Sequence, residues 1–179
     1  MDALLDVYPI KTIVIGVCSN CYLLNNKTNH NFEINNEVYN LSSELGLSKA
    51  KDSLYDFVRK LSEKYEIVVL TDTPNDKRFD PNQIIGDIKS GKRQLPISDK
   101  IIDAPFAQSE DQIKLANELD ILLSDFSIVV HQYEKVCPNG ICNPINLDGR
   151  PIYKDGDHMR PFFVKGHMDV LDPYILPSQ

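Results

Sequence analysis

Two apolar runs rich in β-branched residues constrain this fold most: Thr12-Ile13-Val14-Ile15-Gly16-Val17 and Glu66-Ile67-Val68-Val69-Leu70. A run that is apolar at successive positions predicts a strand covered on both faces, and such strands belong to parallel sheets. Parallel strands need a crossover. The sequence between the runs supplies one, because Leu54, Phe57, Val58 and Leu61 share a stripe at helical spacing. This predicts a helix over Lys49–Lys64 with Ser48 as its N-cap. Further on, Ser109-Glu110-Asp111-Gln112 fits a capping box, and Ile113, Ala116, Leu119 and Leu123 give the following helix an apolar side. Ser127–Val130 reads as a third short strand. Pro161 opens a last helix, with Val164, Met168, Leu171 and Ile175 at helical spacing. Alternating strands and helices predict an α/β fold with a mainly parallel sheet, as one domain over residues 1–179. The Asn-rich stretch 19–47 reads as a long loop. The proline-punctuated stretch 74–108 reads as an excursion with room for one short helix.

In parallel sheets ligands bind at the carboxyl ends of the strands, which predicts a functional rim at Val17–Asn20, Thr71–Pro74 and His131. The partner at that rim is not nucleic acid: Lys plus Arg number 19 against 26 Asp plus Glu, a net charge of −7, and phosphate backbones call for clustered cations. No apolar run approaches the roughly 20 residues of a membrane helix. The acidic start Met1-Asp2-Ala3-Leu4-Leu5-Asp6 lacks the basic region of a secretory leader.

The four cysteines form two local pairs, Cys18/Cys21 and Cys137/Cys142. Cys-x-x-Cys is a common zinc half-site, so a four-thiolate centre is one reading, although the second pair has wider spacing and lies far along the chain. A second reading is a short disulfide loop at Cys137–Cys142, where Pro138 and Asn139-Gly140 favour a tight turn that can bring the thiols together. The third is four reduced cysteines. A disulfide would imply an oxidising compartment.

The stretch Tyr153-Lys154-Asp155-Gly156-Asp157-His158-Met159-Arg160-Pro161 carries the clearest chemical signal. An Asp three residues before a His can hold the imidazole by a hydrogen bond, fixing its tautomer and stabilising the imidazolium formed in proton transfer. The spacing alone is also that of a carboxylate capping the helix at Pro161. Arg160 suits a substrate carboxylate or phosphate, or an ion pair with Asp157. His30, His131 and His167 read as surface or helix-face residues, and Tyr153 as packing.

The run from Val136 onward, with its cysteine pair, Gly149-Arg150-Pro151-Ile152-Tyr153, Asp155-Gly156-Asp157-His158 and the closing Met168-Asp169-Val170-Leu171-Asp172, resembles the SGNH-type domain of the acyltransferase-3 family of bacteria. Ser53–Leu70 followed by Asp72-Thr73-Pro74 is similar to that domain's helix, strand and proline block. The resemblance implies an SGNH-hydrolase-like three-layer fold that O-acylates a cell-surface polysaccharide at the periplasmic face of the inner membrane. Its partners would be a glycan substrate, an acyl donor and a membrane acyltransferase domain, upstream or in a separate chain. It implies no cofactor and no metal. Asp155 and His158 become the acid and base of a Ser-His-Asp triad, and Cys137–Cys142 a periplasmic disulfide.

The sequence departs from the family at the nucleophile. SGNH domains open with Gly-Asp-Ser after their first strand, and this chain contains none. One alignment makes Gly16-Val17-Cys18-Ser19 a degenerate version of that block, with Cys18 or Ser19 as nucleophile. The better-fitting one makes Lys11–Tyr22 a later strand, so that the chain is a C-terminal portion lacking the first, central strand. Asn20 is then a candidate oxyanion donor. Three functional readings follow: a domain that is inactive by itself, a non-catalytic glycan-binding remnant of the same fold, or a hydrolase using Cys18 or Ser19.

Overall fold

The computed structural model describes residues 9–16, 18–24, 29–92 and 105–175. In chain order the elements are β1 (Thr12–Gly16), α1 (Ser19–Tyr22), β2 (Asn31–Ile34), β3 (Glu37–Asn40), α2 (Glu44–Ser62), β4 (Glu66–Leu70), α3 (Pro81–Lys89), β5 (Phe106–Ala107), α4 (Glu110–Leu123), β6 (Ile128–Val130), α5 (Tyr133–Val136), β7 (Ile141–Cys142), α6 (Pro161–His167) and α7 (Asp172–Ile175). The chain divides into two compact units. One is Met1–Asp72, Glu110–His131 and Pro173–Gln179; the other is Thr73–Ser109 and Gln132–Asp172.

The first unit is α/β. Its sheet is parallel, in the order β1-β4-β6. Thr12 to Gly16 pair with Glu66 to Leu70, and Val68 to Leu70 pair with Ile128 to Val130. The reading of both-faced burial holds for β4, where Ile67, Val68 and Val69 are buried. It fails for β1, whose Val14 is 37% exposed. Among the described residues β1 pairs only with β4, so it lies at a sheet edge and keeps just Ile13 and Ile15 against the core. That core joins Val58 of α2, Ile67 and Val69 of β4 and Leu123 of α4, with Leu54, Leu61 and Phe126 packed around them.

Helix α2 starts at Glu44, five residues before the expected Lys49. Its N-cap is Ser43, not Ser48; the Ser43 hydroxyl accepts the Gly46 N–H at 3.0 Å. Gly46 is required here, because a Cβ at that position would fall 1.9 Å from the Asn40 carbonyl oxygen. The stretch 19–47 is also not one long loop. It holds α1 and the β2–β3 hairpin before α2 begins. The hairpin turns on Asn35 and Asn36, both at positive φ (53° and 65°), as a two-residue turn of this hand requires. Asn tolerates that region better than other side chains, so the residues that suggested loop are the ones that build the turn. Phe32 and Tyr39 stack across the two strands.

The second unit has little regular structure. Its core is Phe79, Val136, Cys137, Cys142, Ile152, Tyr153 and Phe163. Phe79 stacks on Tyr153 with ring centroids 4.2 Å apart. The excursion 74–108 carries a 3₁₀ turn at Lys77–Phe79 and α3, capped by Asp80. The single last helix expected from Pro161 divides into α6 and α7. A helix continuous to Ile175 would place Pro173 in its interior, where it lacks an N–H donor; in the structure Pro173 sits in the first turn of α7. Among the described residues no helix is long and apolar enough to cross a membrane.

Candidate functional site

In the second unit, Tyr153 and Met159 bridge antiparallel and close a short loop around Asp155 and His158. The Lys154 N–H donates to the His158 carbonyl at 2.8 Å, the Arg160 N–H to Ile152 at 2.9 Å, and the Asp76 N–H to the Gly156 carbonyl at 2.9 Å. Tyr153 anchors the loop from below. It is fully buried, its hydroxyl donates to the Pro74 carbonyl at 2.6 Å, and burial pushes its pKa well up. The backbone is therefore set before the acid and base side chains are placed.

Asp155 Oδ1 accepts the N–H groups of Asp157 (3.1 Å) and His158 (2.9 Å). These two bonds, with smaller help from the side chains, hold its carboxyl well below the usual carboxylate range. The same carboxylate faces the His158 ring, with Nδ1 at 3.0 Å from Oδ1 and 3.1 Å from Oδ2. Asp157 Oδ1 also lies 2.9 Å from Nδ1. The imidazole therefore carries its proton on Nδ1 and leaves Nε2 as the basic nitrogen, on a side chain that is 70% exposed. The hydrogen bond to Asp155, then the charges of Asp157 and Asp155, raise the His158 pKa above its ordinary 6.5.

Asp155 is not a helix cap. The N-cap of α6 is Arg160, and it receives no side-chain bond. Arg160 does not bind Asp157 either; its Nε donates to the Tyr153 carbonyl at 2.9 Å. Sequence reasoning treated Asp157 only as a cap or an ion-pair partner and so missed its place beside Nδ1. Among the described residues, the ligand atoms of Asp155, Asp157 and His158 lie within 4.8 Å of one another, close enough to share a cation if Nδ1 gave up its proton.

Cys18, Ser19 and Asn20 lie at the rim of the first unit's sheet, and Cys137 and Cys142 in the core of the second unit. Cys18 is bonded to Cys21, and Cys137 to Cys142. The Cys137–Cys142 expectation is met, and the thiolates that a zinc centre or a Cys18 nucleophile would need are tied up. Ser19 is 5% exposed and Asn20 7%. Both serve Asp72: the Ser19 hydroxyl donates to Oδ2 at 3.0 Å, and the Asn20 N–H makes a very short bond to the same oxygen. Ser19 is thus hydrogen-bonded to a carboxylate rather than to an imidazole, and the Asn20 N–H is committed and not free for an oxyanion. Burial raises the Asp72 pKa, against the lowering effect of these two donors. Asp72 lies in the expected rim segment but was not singled out. The available signal was a lone carboxylate directly after a buried strand. His131, also at this rim, has Nε2 at 3.5 Å from Asp120.

The second unit also holds an open groove of about 700 Å³, floored by Val136, Ile145, Ile152 and Phe163 and edged by Lys135 and His167. Lys135 pairs with Asp169 at 2.7 Å. Neither a protein-family model nor a curated protein matches the chain.

Proposed function

We propose that the chain is the SGNH-like part of a bacterial O-acyltransferase that transfers acetyl groups to a cell-surface polysaccharide at the periplasmic face of the membrane. In this reading His158 is the general base, Asp155 orients it, and the serine nucleophile comes from a membrane acyltransferase partner or from a preceding segment. The observation that carries the proposal is the His158 pair: Nδ1 held at 3.0 Å by a carboxylate that is itself fixed by two N–H groups, with Asp157 also against Nδ1 and the side chain largely exposed. His158 Nε2 would take the serine proton as the oxygen attacks the acyl carbonyl, then pass it to the leaving group. It would next deprotonate the glycan hydroxyl that attacks the acyl-enzyme, and return that proton to the serine oxygen as the serine–acyl bond breaks. Among the described residues β1 pairs only with β4, and an edge strand with aliphatic residues invites pairing, which supports a reading with one further strand.

By itself the chain is expected to have no substantial activity. Without the nucleophile only a small residue of the full rate survives. The test is acetyl transfer in cells making the protein together with its proposed membrane partner, read as O-acetyl groups on the surface polysaccharide by NMR. His158→Ala should abolish O-acetylation, and unchanged O-acetylation would overturn the proposal. The purified chain should hydrolyse p-nitrophenyl acetate at background rate. Turnover lost in both His158→Ala and Ser19→Ala would instead make Ser19 the nucleophile.

A second reading, a glycan-binding remnant, is favoured by the groove over Phe163, which combines apolar residues with the polar side chains of Lys135, Asn143, Asn146, Asp148 and His167. It predicts sugar binding that survives His158→Ala.

A further inference from the structure

The two disulfides differ in access. Cys137 and Cys142 are 1% and 0% exposed, inside an aromatic core. Cys18 is exposed and Cys21 partly so. The two residues between Cys18 and Cys21 have the opposite character: Ser19 and Asn20 are buried and fastened to Asp72. The Cys21 and Tyr22 N–H groups return to the Cys18 carbonyl at 3.1 and 3.3 Å, and the Leu23 N–H to Ser19 at 2.7 Å. None of these bonds uses a sulfur. The backbone that sets the 5.2 Å Cα–Cα separation of the pair is therefore held independently of the S–S bond. Breaking that bond should leave both thiols within closing distance.

We propose that Cys18–Cys21 is a thiol–disulfide exchange site that accepts two electrons from a dithiol. A thiolate of the dithiol attacks the Cys18 sulfur, forming a mixed disulfide. The Cys18–Cys21 bond breaks and Cys21 leaves as a thiolate, which takes a proton. The second thiol of the dithiol, once deprotonated, attacks its own sulfur in the mixed disulfide and releases Cys18 as a thiol. The dithiol ends as a cyclic disulfide and the protein pair as two thiols, so electrons and protons balance. The reverse sequence, with an oxidised dithiol, restores the bond.

The experiment uses the native oxidised chain with dithiothreitol as probe. The protein is exposed to increasing dithiothreitol, trapped with iodoacetamide and mapped by mass spectrometry, while circular dichroism follows the fold. Cys18 and Cys21 should label at dithiol levels at least tenfold below those that open Cys137 and Cys142, with the fold unchanged. Oxidised dithiothreitol should then close the pair again before trapping. In Cys21→Ser, the remaining Cys18 should attack a symmetrical disulfide reagent such as oxidised glutathione, forming a trapped mixed disulfide and releasing one equivalent of thiol. Labelling of Cys137 and Cys142 first or simultaneously, failure of the Cys18–Cys21 pair to close, or an unreactive Cys18 in the variant would each overturn the proposal.

Discussion

Asp155 and Asp72 are both carboxylates that accept a backbone N–H together with a side-chain donor, yet their settings point in opposite directions. Asp155 sits in a solvent-open loop, takes two backbone N–H groups, and is driven to ionise. Asp72 sits half-buried at the end of β4, and the cost of burying its charge outweighs its two donors. The side-chain donor differs as well. Asp155 faces an imidazole whose second nitrogen can carry a proton, whereas Asp72 faces the buried Ser19 hydroxyl, which does not titrate near neutral pH. The comparison teaches that a carboxylate with a hydrogen-bond donor is not yet a catalytic pair. The donor must itself be a proton carrier with an open face.

The largest expected effect comes from breaking the Asp155 side of this comparison. On the proposed function, Asp155→Asn should lower acetyl transfer by roughly 10⁴-fold, the scale of losing the orienting acid of a triad. Because Asp155 raises the His158 pKa, the acid limb of the pH–rate profile should also move to lower pH in this variant. The base is needed deprotonated, so activity rises as pH passes through the His158 pKa. Ser19→Ala should leave transfer unchanged, since its hydroxyl only serves Asp72.

Next comes the scaffold beneath the loop. Phe79→Ala removes the ring stacked on Tyr153 and should cost about 3–5 kcal/mol in chemical denaturation, the usual range for a buried Phe. Tyr153→Phe keeps the ring but leaves the Pro74 carbonyl without that donor, and should cost about 1–3 kcal/mol.

The smallest effect belongs to Asp72. Its raised pKa means that the neutral form suits the folded state better than the ionised one. Its favourable contribution is full below the unfolded carboxyl pKa, near 3.9, and is lost as pH rises through the folded value. Asp72→Asn mimics the neutral form and keeps an acceptor for Ser19 and Asn20. Its stability relative to wild type should therefore be higher at neutral pH, with the difference closing as the solution is acidified. A difference that grows on acidification would show that burial is not the dominant influence on Asp72.

How far each region could be read from sequence follows from the range of the interactions involved. The Asp155–His158 pair was legible because its members lie three residues apart and the turn that joins them is local. The parallel pairing of β1 and β4 was legible because apolar runs around an amphipathic crossover admit few arrangements. The Ser19–Asp72 bond spans 53 residues and has no pattern in the chain. The edge position of β1 was hidden because composition does not reveal how many neighbours a strand has. The β2–β3 hairpin was obscured by its own asparagines, and the start of α2 by Gly46, whose need for space arises only once Asn40 is in place.

The central claim is that His158 is held by Asp155 with its proton on Nδ1 and its Nε2 free. Nitrogen-15 NMR of the imidazole across a pH titration tests this in the chain as it stands, without a nucleophile or a substrate. The neutral ring should be the Nδ1–H tautomer, its pKa should lie above 6.5, and Asp155→Asn should bring that pKa down. A neutral ring protonated on Nε2, or a pKa at or below 6.5 that does not respond to Asp155→Asn, would contradict the claim.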